Sequence, residues 1–597
     1  MGCLEQPSPP SPPSISWPAT RSIGKPPTSR RTPRTTPMGD RLRLSVVILT
    51  KNEEARIARC LESVRWVDEI VVVDGMSTDR TAEICRRFGA RVIAHPFEGS
   101  FAQERNLGME HAQGDWVLQI DADDVVTSEF RATVERLMQH PPGHAAFKFR
   151  RKSYLLGRFM RYGGWDHYLP NLVRRDAVRY EGLVHERPVI RGTLGVLEAS
   201  IEHHPCESLG AFLDRHNRYT SLAALELRRT RGVLEEAAIR RQLIRKTWKT
   251  WWKTYVKKQG WREGLHGLVF SLFYAGIEAV KWAKCWESCR QQPQASAENG
   301  AATVLGARPA ARAAGRRTLS VVLMTKNEEA RLATCLDCVA GWADEIVIID
   351  DFSTDRTVGI ARRYTEKVYV FASDDNHDQQ WNRGIERATS DWVLHIDADE
   401  VVTPRLQTAI DRILVDDQGH SAFEMMRKNY FLGHPMRYGG WYHRHLVLFR
   451  RERARCRGRG IHVRLQVEGT IGRLEAELEH YPFTSLEQFI RRQNHYTGVE
   501  ARNLFALQGP VPARELVYQM TWRPMKLFWK SYVKQQGRRE GMYGLVFALL
   551  YAFMHVIFWA KYWEQMLAAG PQAACAGDRE AVPEELSRDV TYETTTG

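Results

Sequence analysis

Cysteine is scarce in this chain, ten residues in 597, and the ten are unevenly spaced. That excludes a disulfide-stapled scaffold. With no apolar core in the first forty residues, the chain reads as a cytosolic protein with reduced thiols and no signal peptide. Glycine-rich nucleotide fingerprints are missing too: no G-x-G-x-x-G follows the first apolar run and there is no Walker A loop, so dinucleotide and P-loop chemistry lose their support. Long hydrophobic runs are few. A mean hydropathy of -0.42 leaves room for one or two membrane spans and excludes a polytopic protein. Acidic residues are in deficit, 71 against 85 Lys and Arg, and the net charge of +14 favours an acidic partner: nucleic acid, anionic lipid or a phosphorylated substrate. What is present is an ordinary globular mixture, 43% hydrophobic and 26% charged, which excludes a disordered or collagenous chain. At roughly 100–200 residues per domain, the length predicts three to five folding units.

Internal repetition sets the organisation. Thr50 to Arg56 recurs unchanged as Thr325 to Arg331, Ser77 to Thr81 as Ser353 to Thr357, and Met160 to Trp165 as Met436 to Trp441. Lys253 to Ala275 closely matches Lys530 to Ala552. The chain therefore reads as a tandem of two homologous domains, 41–290 and 318–567. Around them lie a Pro/Ser/Arg-rich N-terminus expected to be disordered (1–40), a linker (291–317) and a polar tail (568–597).

Within each copy, short apolar runs alternate with amphipathic stretches. Leu44–Leu49, Ile70–Val73, Arg91–Ala94 and Trp116–Ile120 read as strands, with helices expected from Glu53, from Ser77 and near Phe101–Ala112. This pattern predicts an α/β fold with a mostly parallel sheet covered on both faces, whose ligands bind beyond the carboxyl ends of the strands. Asn52, Glu53, Asp74 and the run Asp121-Ala122-Asp123-Asp124 fall at those ends. Two carboxylates one residue apart at a strand end offer the oxygen ligands that suit Mg²⁺ or Mn²⁺. A calcium loop is excluded, because its sixth position would be Val126 and its twelfth Ala132.

The segments Val47 to Glu54, Val73 to Thr81 and Asp115 to Asp124 resemble family 2 glycosyltransferases of GT-A fold, most closely the bacterial lipopolysaccharide-core β-1,4-glucosyltransferase type. The resemblance covers nearly all of each copy, including the Gly163-Gly164-Trp165 and Val184-His185-Glu186 segments. It implies two tandem GT-A domains, each with a C-terminal helical, membrane-associating segment. It further implies an inverting, metal-dependent transfer from a nucleotide-sugar donor to a lipopolysaccharide-core or other lipid-linked acceptor. By the same resemblance Asp74 binds the nucleoside, Asp121 lies near the ribose, Asn52 and Glu53 complete the donor site, and Asp123 holds the divalent ion. Glu186 is the candidate general base that takes the acceptor proton. Copy two retains the donor and metal set as Asn327, Glu328, Asp350, Asp397 and Asp399. It has Val463 where copy one has Glu186, and Asp351 in place of Gly75. Copy one is therefore the expected catalyst. The alternative is a nucleotide-sugar-binding or scaffolding protein with impaired catalysis, above all in copy two.

Cys335 with Cys338 and Cys285 with Cys289 read as packing, and the pair His203-His204 before Pro205 reads as structural, with substrate binding the alternative. The stretch Lys246 to Lys253 interleaves cations with tryptophans, as the headgroup zone of a bilayer favours. The uncharged run Gly541 to Ala560 has the length of a membrane span. These features favour lipid over nucleic acid, and predict a cytoplasmic protein held peripherally or monotopically at the cytoplasmic face of the inner membrane.

Overall fold

A computed structural model describes residues 41–97, 99–140, 143–182, 187–290, 315–373, 377–456 and 465–570. The N-terminal segment 1–40, nearly all of the linker and tail, and the residues Glu186 and Val463 lie outside the described residues. Arg316 and Arg317, assigned above to the linker, belong to the second domain. Arg316 pairs with Asp344 at 2.8 Å and Asp411 at 3.2 Å.

The first domain runs β1 (Leu44–Thr50), α1 (Ile57–Ser63), β2 (Glu69–Asp74), α2 (Thr81–Arg87), β3 (Arg91–Ala94), α3 (Phe101–His111), β4 (Trp116–Asp121), β5 (Asp124–Val126) and α4 (Ser128–Gln139). It continues with β6 (Ala146–Leu155), β7 (Arg158–Phe159), β8 (His167–Arg174), β9 (Val178–Glu181), β10 (Arg187–Ile190) and β11 (Leu194–His203). The helices α5 (Leu209–Arg231), α6 (Glu236–Trp251) and α7 (Leu265–Arg290) follow. The main sheet has the order β3-β2-β1-β4-β8-β6-β11-β5, with β7 paired to β6. Its first four strands are parallel, as their unbroken apolar character predicts. The other half is mixed: β8 runs antiparallel to β4 and β6, and β11 is parallel to β6 but antiparallel to β5. The second copy repeats this order strand for strand.

Helices α1 and α2 begin later than the residue pattern suggests, at Ile57 and Thr81. Residues 51–56 and 75–80 are instead loops that lock onto each other. Asn52, in the left-handed region at φ 55°, accepts from the Thr78 amide at 2.8 Å, and its own amide donates to Ser77 Oγ at 2.8 Å. Asp79 accepts from Thr81 N at 3.0 Å, which ends the loop and starts α2.

The C-terminal helices of both copies merge into one hydrophobic core, which includes Phe273 and Trp286 of α7 and Phe553 and Tyr562 of the last helix, Met542–Ala569. That last helix is long and apolar enough to cross a bilayer, but 78% of its apolar window is buried inside the protein. The candidate membrane segment near 541–560 packs as a core helix, against α7, the helix Leu486–Gln508 and the short helices Ala513–Met520 and Trp522–Trp529. Cys285 and Cys335 are buried, in keeping with packing roles.

Close packing on the sheet depends on Gly108 of α3, where a Cβ would lie 2.3 Å from the Val47 side chain. Gly384 repeats this against Val322 at 2.5 Å. Gly108→Ala is expected to destabilise the domain by about 1–3 kcal/mol, because α3 must move off β1. Chemical denaturation compared with Gly143→Ala, which has open space around it and no left-handed backbone, reads this out.

Candidate active site

Strand register builds the site. Thr50 pairs with Asp74 and Leu49 with Asp121, so the carboxyl ends of β2 and β4 flank the end of β1 at one level. From the far side of the domain β11 returns antiparallel to β5 and sets His203 opposite Asp124. In copy two His480 stands opposite Glu400 in the same way.

The result is a cluster of Asp123, Asp124 and His203 whose ligand atoms lie within 4.8 Å of one another. His203 Nε2 is 3.5 Å from Asp123 Oδ1, while its Nδ1 meets Ser153 Oγ at 3.1 Å, which orients the ring toward the carboxylate. Burial and the nearby Arg151 cation hold the imidazole at about 3, so it is neutral and able to ligate a metal at neutral pH. In copy two His480 Nε2 lies 3.4 Å from Asp399 Oδ1, and Asn429 supports the other ring nitrogen. The donor set, carboxylate oxygen plus imidazole nitrogen at an open strand edge, fits a divalent ion such as Mn²⁺ or Mg²⁺.

Four guanidiniums face the carboxylates. Arg151 donates to Asp124 at 2.7 Å and to Asp121 at 2.8 Å, and lies 3.6 Å from Asp123. Arg105 donates to Asp121 at 2.9 Å, Arg215 to Asp123 at 2.9 Å, and Arg56 is 4.0 Å from Asp123 and 2.5 Å from Glu53. Burial alone would raise the Asp121 and Asp123 carboxyls; the surrounding cations outweigh it and keep both below the usual range, hence ionised. Asp124 goes the other way. Burial together with its two aspartate neighbours pushes it up to about 7, against the pull of Arg151.

The residues expected at the donor site divide into two groups. Asp123 and Glu53 belong to the cation-lined cluster, with Asp121 partly exposed at its mouth. Asp74 and Asn52 are structural as well as edge residues. Asp74 is buried and accepts from Thr50 Oγ1 at 3.0 Å, Ser77 N at 2.9 Å and Ser77 Oγ at 2.5 Å, so its carboxylate holds the two loops together. Asp350 and Asn327 make the same bonds in copy two. Glu328 reaches Arg492 at 3.3 Å, and Arg492 reaches Asp399 at 3.2 Å, mirroring Glu53, Arg215 and Asp123.

Sequence reasoning missed Arg105, Arg151 and Arg215 and favoured a structural role for His203 over substrate binding. A signal for Arg151 was present: in β6 the residues Phe149, Arg151 and Ser153 share the buried face by period-two alternation. His203 could be found only through the β11–β5 pairing.

The copies differ beside the cluster. Trp381 of copy two occupies the place of Arg105 and stacks on His395, the counterpart of Gln119, with centroids 4.2 Å apart. Asp397 thereby keeps Arg427 at 3.0 Å and has an aromatic ring where copy one has a second guanidinium. Asp351 pairs with Lys326 at 2.6 Å and accepts from Ser373.

Arg215 and an incoming cation compete for the Asp123 carboxylate, Arg215 on Oδ2 and the cation beside His203 on Oδ1. Arg215→Met is therefore expected to tighten Mn²⁺ binding without nucleotide by roughly tenfold, as one positive charge leaves the ligand. It should weaken binding of a nucleoside diphosphate with Mn²⁺, because a phosphate-facing cation is lost. Mn²⁺ titration by electron paramagnetic resonance, with and without nucleotide, checks both signs.

The sequence comparisons agree with this geometry. A family model described as "Glycosyl transferase family 2" matches residues 45–192 and again 320–468. An uncharacterised glycosyltransferase of Rickettsia bellii is 26% identical over 276 residues, covering 43% of this chain and 89% of that protein. The lipopolysaccharide core biosynthesis glycosyltransferase LpsC of Rhizobium meliloti is 29% identical over 201 residues, 31% of this chain and 71% of LpsC. Among solved structures, glucosyl-3-phosphoglycerate synthase from Mycobacterium tuberculosis, seen with Mn²⁺, UDP and glucosyl-3-phosphoglycerate, is 26% identical over 19% of this chain; the match spans less than half of that protein (44%), with a TM-score of 0.17. Staphylococcus aureus TarS (residues 1–349) is 16% identical over 41% of this chain and 83% of that one, with a TM-score of 0.21. Matched once in each half, with the acidic cluster built twice at the same strand edge, the chain belongs to glycosyltransferase family 2 and is a tandem glycosyltransferase.

Proposed function

We propose that domain one is an inverting glycosyltransferase that moves a sugar from a nucleotide-sugar donor to a lipopolysaccharide-core or other lipid-linked acceptor of the cell envelope. The observation that carries the metal-dependent reading is the Asp123/Asp124/His203 cluster beyond the parallel strand ends. Asp123 and His203 would hold Mn²⁺ or Mg²⁺, which supplies neutralisation of the charge that grows on the departing nucleoside diphosphate. Arg215 and Arg56, less buried than Arg151 and close to Asp123, would face the diphosphate. Asp121 and Glu53 would border the donor, with Asp74 and Asn52 shaping the loops around it. Glu186 takes the acceptor hydroxyl proton. The likeness to LpsC supports the envelope acceptor.

In domain two Asp397, Asp399 and His480 support donor and metal binding, while Val463 stands in place of the base. We read that domain as divergent or impaired. Glu186→Gln should cost about 10²–10⁴ in transfer rate with donor binding nearly intact. Asp399→Ala should cost far less total activity than Asp123→Ala. A transfer assay with a donor-binding titration measures both, and equal losses at Asp123 and Asp399 would assign copy two a catalytic task of its own.

Membrane attachment at the cytoplasmic face rests on surface residues, since the last helix is core. Trp248, Trp252 and Trp261 are half or more exposed, with Lys249, Lys253 and Lys257 among them. Trp522, Met525 and Trp529 repeat this beside Lys526 and Lys530. Aromatic rings interleaved with ammonium groups suit anionic headgroups. Replacing Trp248 and Trp252 by Ser should lower co-sedimentation with phosphatidylglycerol vesicles severalfold, whereas removing residues 1–40 should leave it unchanged.

A further inference from the structure

The two domains meet about a pseudo-two-fold axis that, in their C-terminal helices, relates residue n of copy one to n + 277 of copy two. Reciprocal contacts show it. The Leu209 amide at the start of α5 donates to Glu564 of domain two at 2.9 Å, and the Leu486 amide donates to Glu287 of domain one at 3.0 Å. Asn217 Nδ2 donates to the Glu487 carbonyl and Asn494 Nδ2 to the Gly210 carbonyl, both at 2.9 Å. Behind each asparagine a buried lysine, Lys284 or Lys561, donates to its side-chain oxygen at 2.6 Å.

Two contacts break the symmetry, and each is made by residues that differ between the copies. Near the axis, Gly276 of α7 faces its own counterpart, Phe553. A Cβ on Gly276 would lie 2.1 Å from the Phe553 ring. Copy one paired with itself would set glycine against glycine, and copy two phenylalanine against phenylalanine; only the mixed pair fills the space once. Likewise Ser221 donates to Glu487 at 2.6 Å, whereas their counterparts are Gly498 and Gly210, so the bond exists only in the mixed pairing.

The same helices reach the active sites. Arg215 lies six residues beyond Leu209 on α5, about 9 Å along the axis at 1.5 Å per residue, and contacts Asp123. The first amides of a helix have no intrahelical partner and favour a carboxylate. For α5 one such carboxylate comes from the other domain.

We infer that the duplicated domains are an obligate mixed pair in which each holds the site-facing helix of the other, so that Glu564 of domain two is a positioning residue for Arg215 at the domain-one site. The role of Arg215 rests on the proposed metal site; the pairing does not.

The test uses the full chain carrying Asp399→Asn, so that only the domain-one site titrates. Variants are Gly276→Phe, the swap Gly276→Phe with Phe553→Gly, Glu564→Ala, Glu564→Gln and Ser221→Ala. Hydrogen exchange of the peptide 208–220 reads the tether, and Mn²⁺ titration by electron paramagnetic resonance reads the site. Gly276→Phe and Glu564→Ala should speed exchange and shift Mn²⁺ affinity toward that of Arg215→Met by about threefold or more. The swap and Glu564→Gln should return both readings to the parent, and Ser221→Ala should give a smaller shift of the same sign. Should Gly276→Phe fail to fold, Glu564→Ala and Ser221→Ala decide. Unchanged exchange overturns the pairing; faster exchange with unchanged Mn²⁺ affinity overturns the positioning role. A parent that binds no Mn²⁺ overturns the metal-site reading and with it the positioning role, and exchange then judges the pairing alone.

Discussion

Buried carboxylates at the end of a parallel sheet need compensating charge, and Arg151 supplies it. Its guanidinium spans Asp121 and Asp124 and approaches Asp123, all from the buried face of β6. Without such a cation, Asp121 and Asp123 could not both stay ionised at a crowded sheet edge beside Asp124. The arrangement fixes the Asp-Ala-Asp turn before any ligand arrives, so ligand charges meet a preorganised set of oxygens. Arg427 does the same for Asp397 and Glu400 in the second copy. The fold thus spends one buried arginine per domain to keep its acidic motif usable.

A second guanidinium separates the copies. In domain one Asp121 is held between Arg105 and Arg151; in domain two Trp381 stacked on His395 replaces the Arg105 side of that clamp. An aromatic stack stabilises the same part of the core without placing charge at the site. This difference lies where charge would act on a ligand, while the strand order that carries the site is shared. Domain two keeps full architectural value with an altered site.

The C-terminal helices show how composition can mislead about location. Met542–Ala569 is apolar on all sides because it is surrounded by protein on most sides, including α7 of the other domain. The tryptophans and lysines that remain outside sit on the shorter helices before it. Apolar length satisfied a demand of the interdomain core, and the lipid-compatible chemistry is left at the surface.

The sequence by itself determined the duplication, the alternation of strand and helix, and the strand ends at which Asp74, Asp121 and Asp123 stand, because each is a local matter of periodicity and apolar runs. It also carried the family through contiguous motifs. Only the tertiary structure decided that His203 faces Asp123, since an antiparallel return of β11 onto β5 joins residues eighty positions apart. It decided that Asp74 and Asn52 knit loops, that Arg105 and Arg215 reach the acidic turn from two different helices, and that the apolar C-terminal helix is core. These depend on strand register and on contacts between distant helices, which a residue pattern along one chain does not encode locally. The pairing of Gly276 with Phe553 has the same origin: each is unremarked alone, and together they specify which domain meets which.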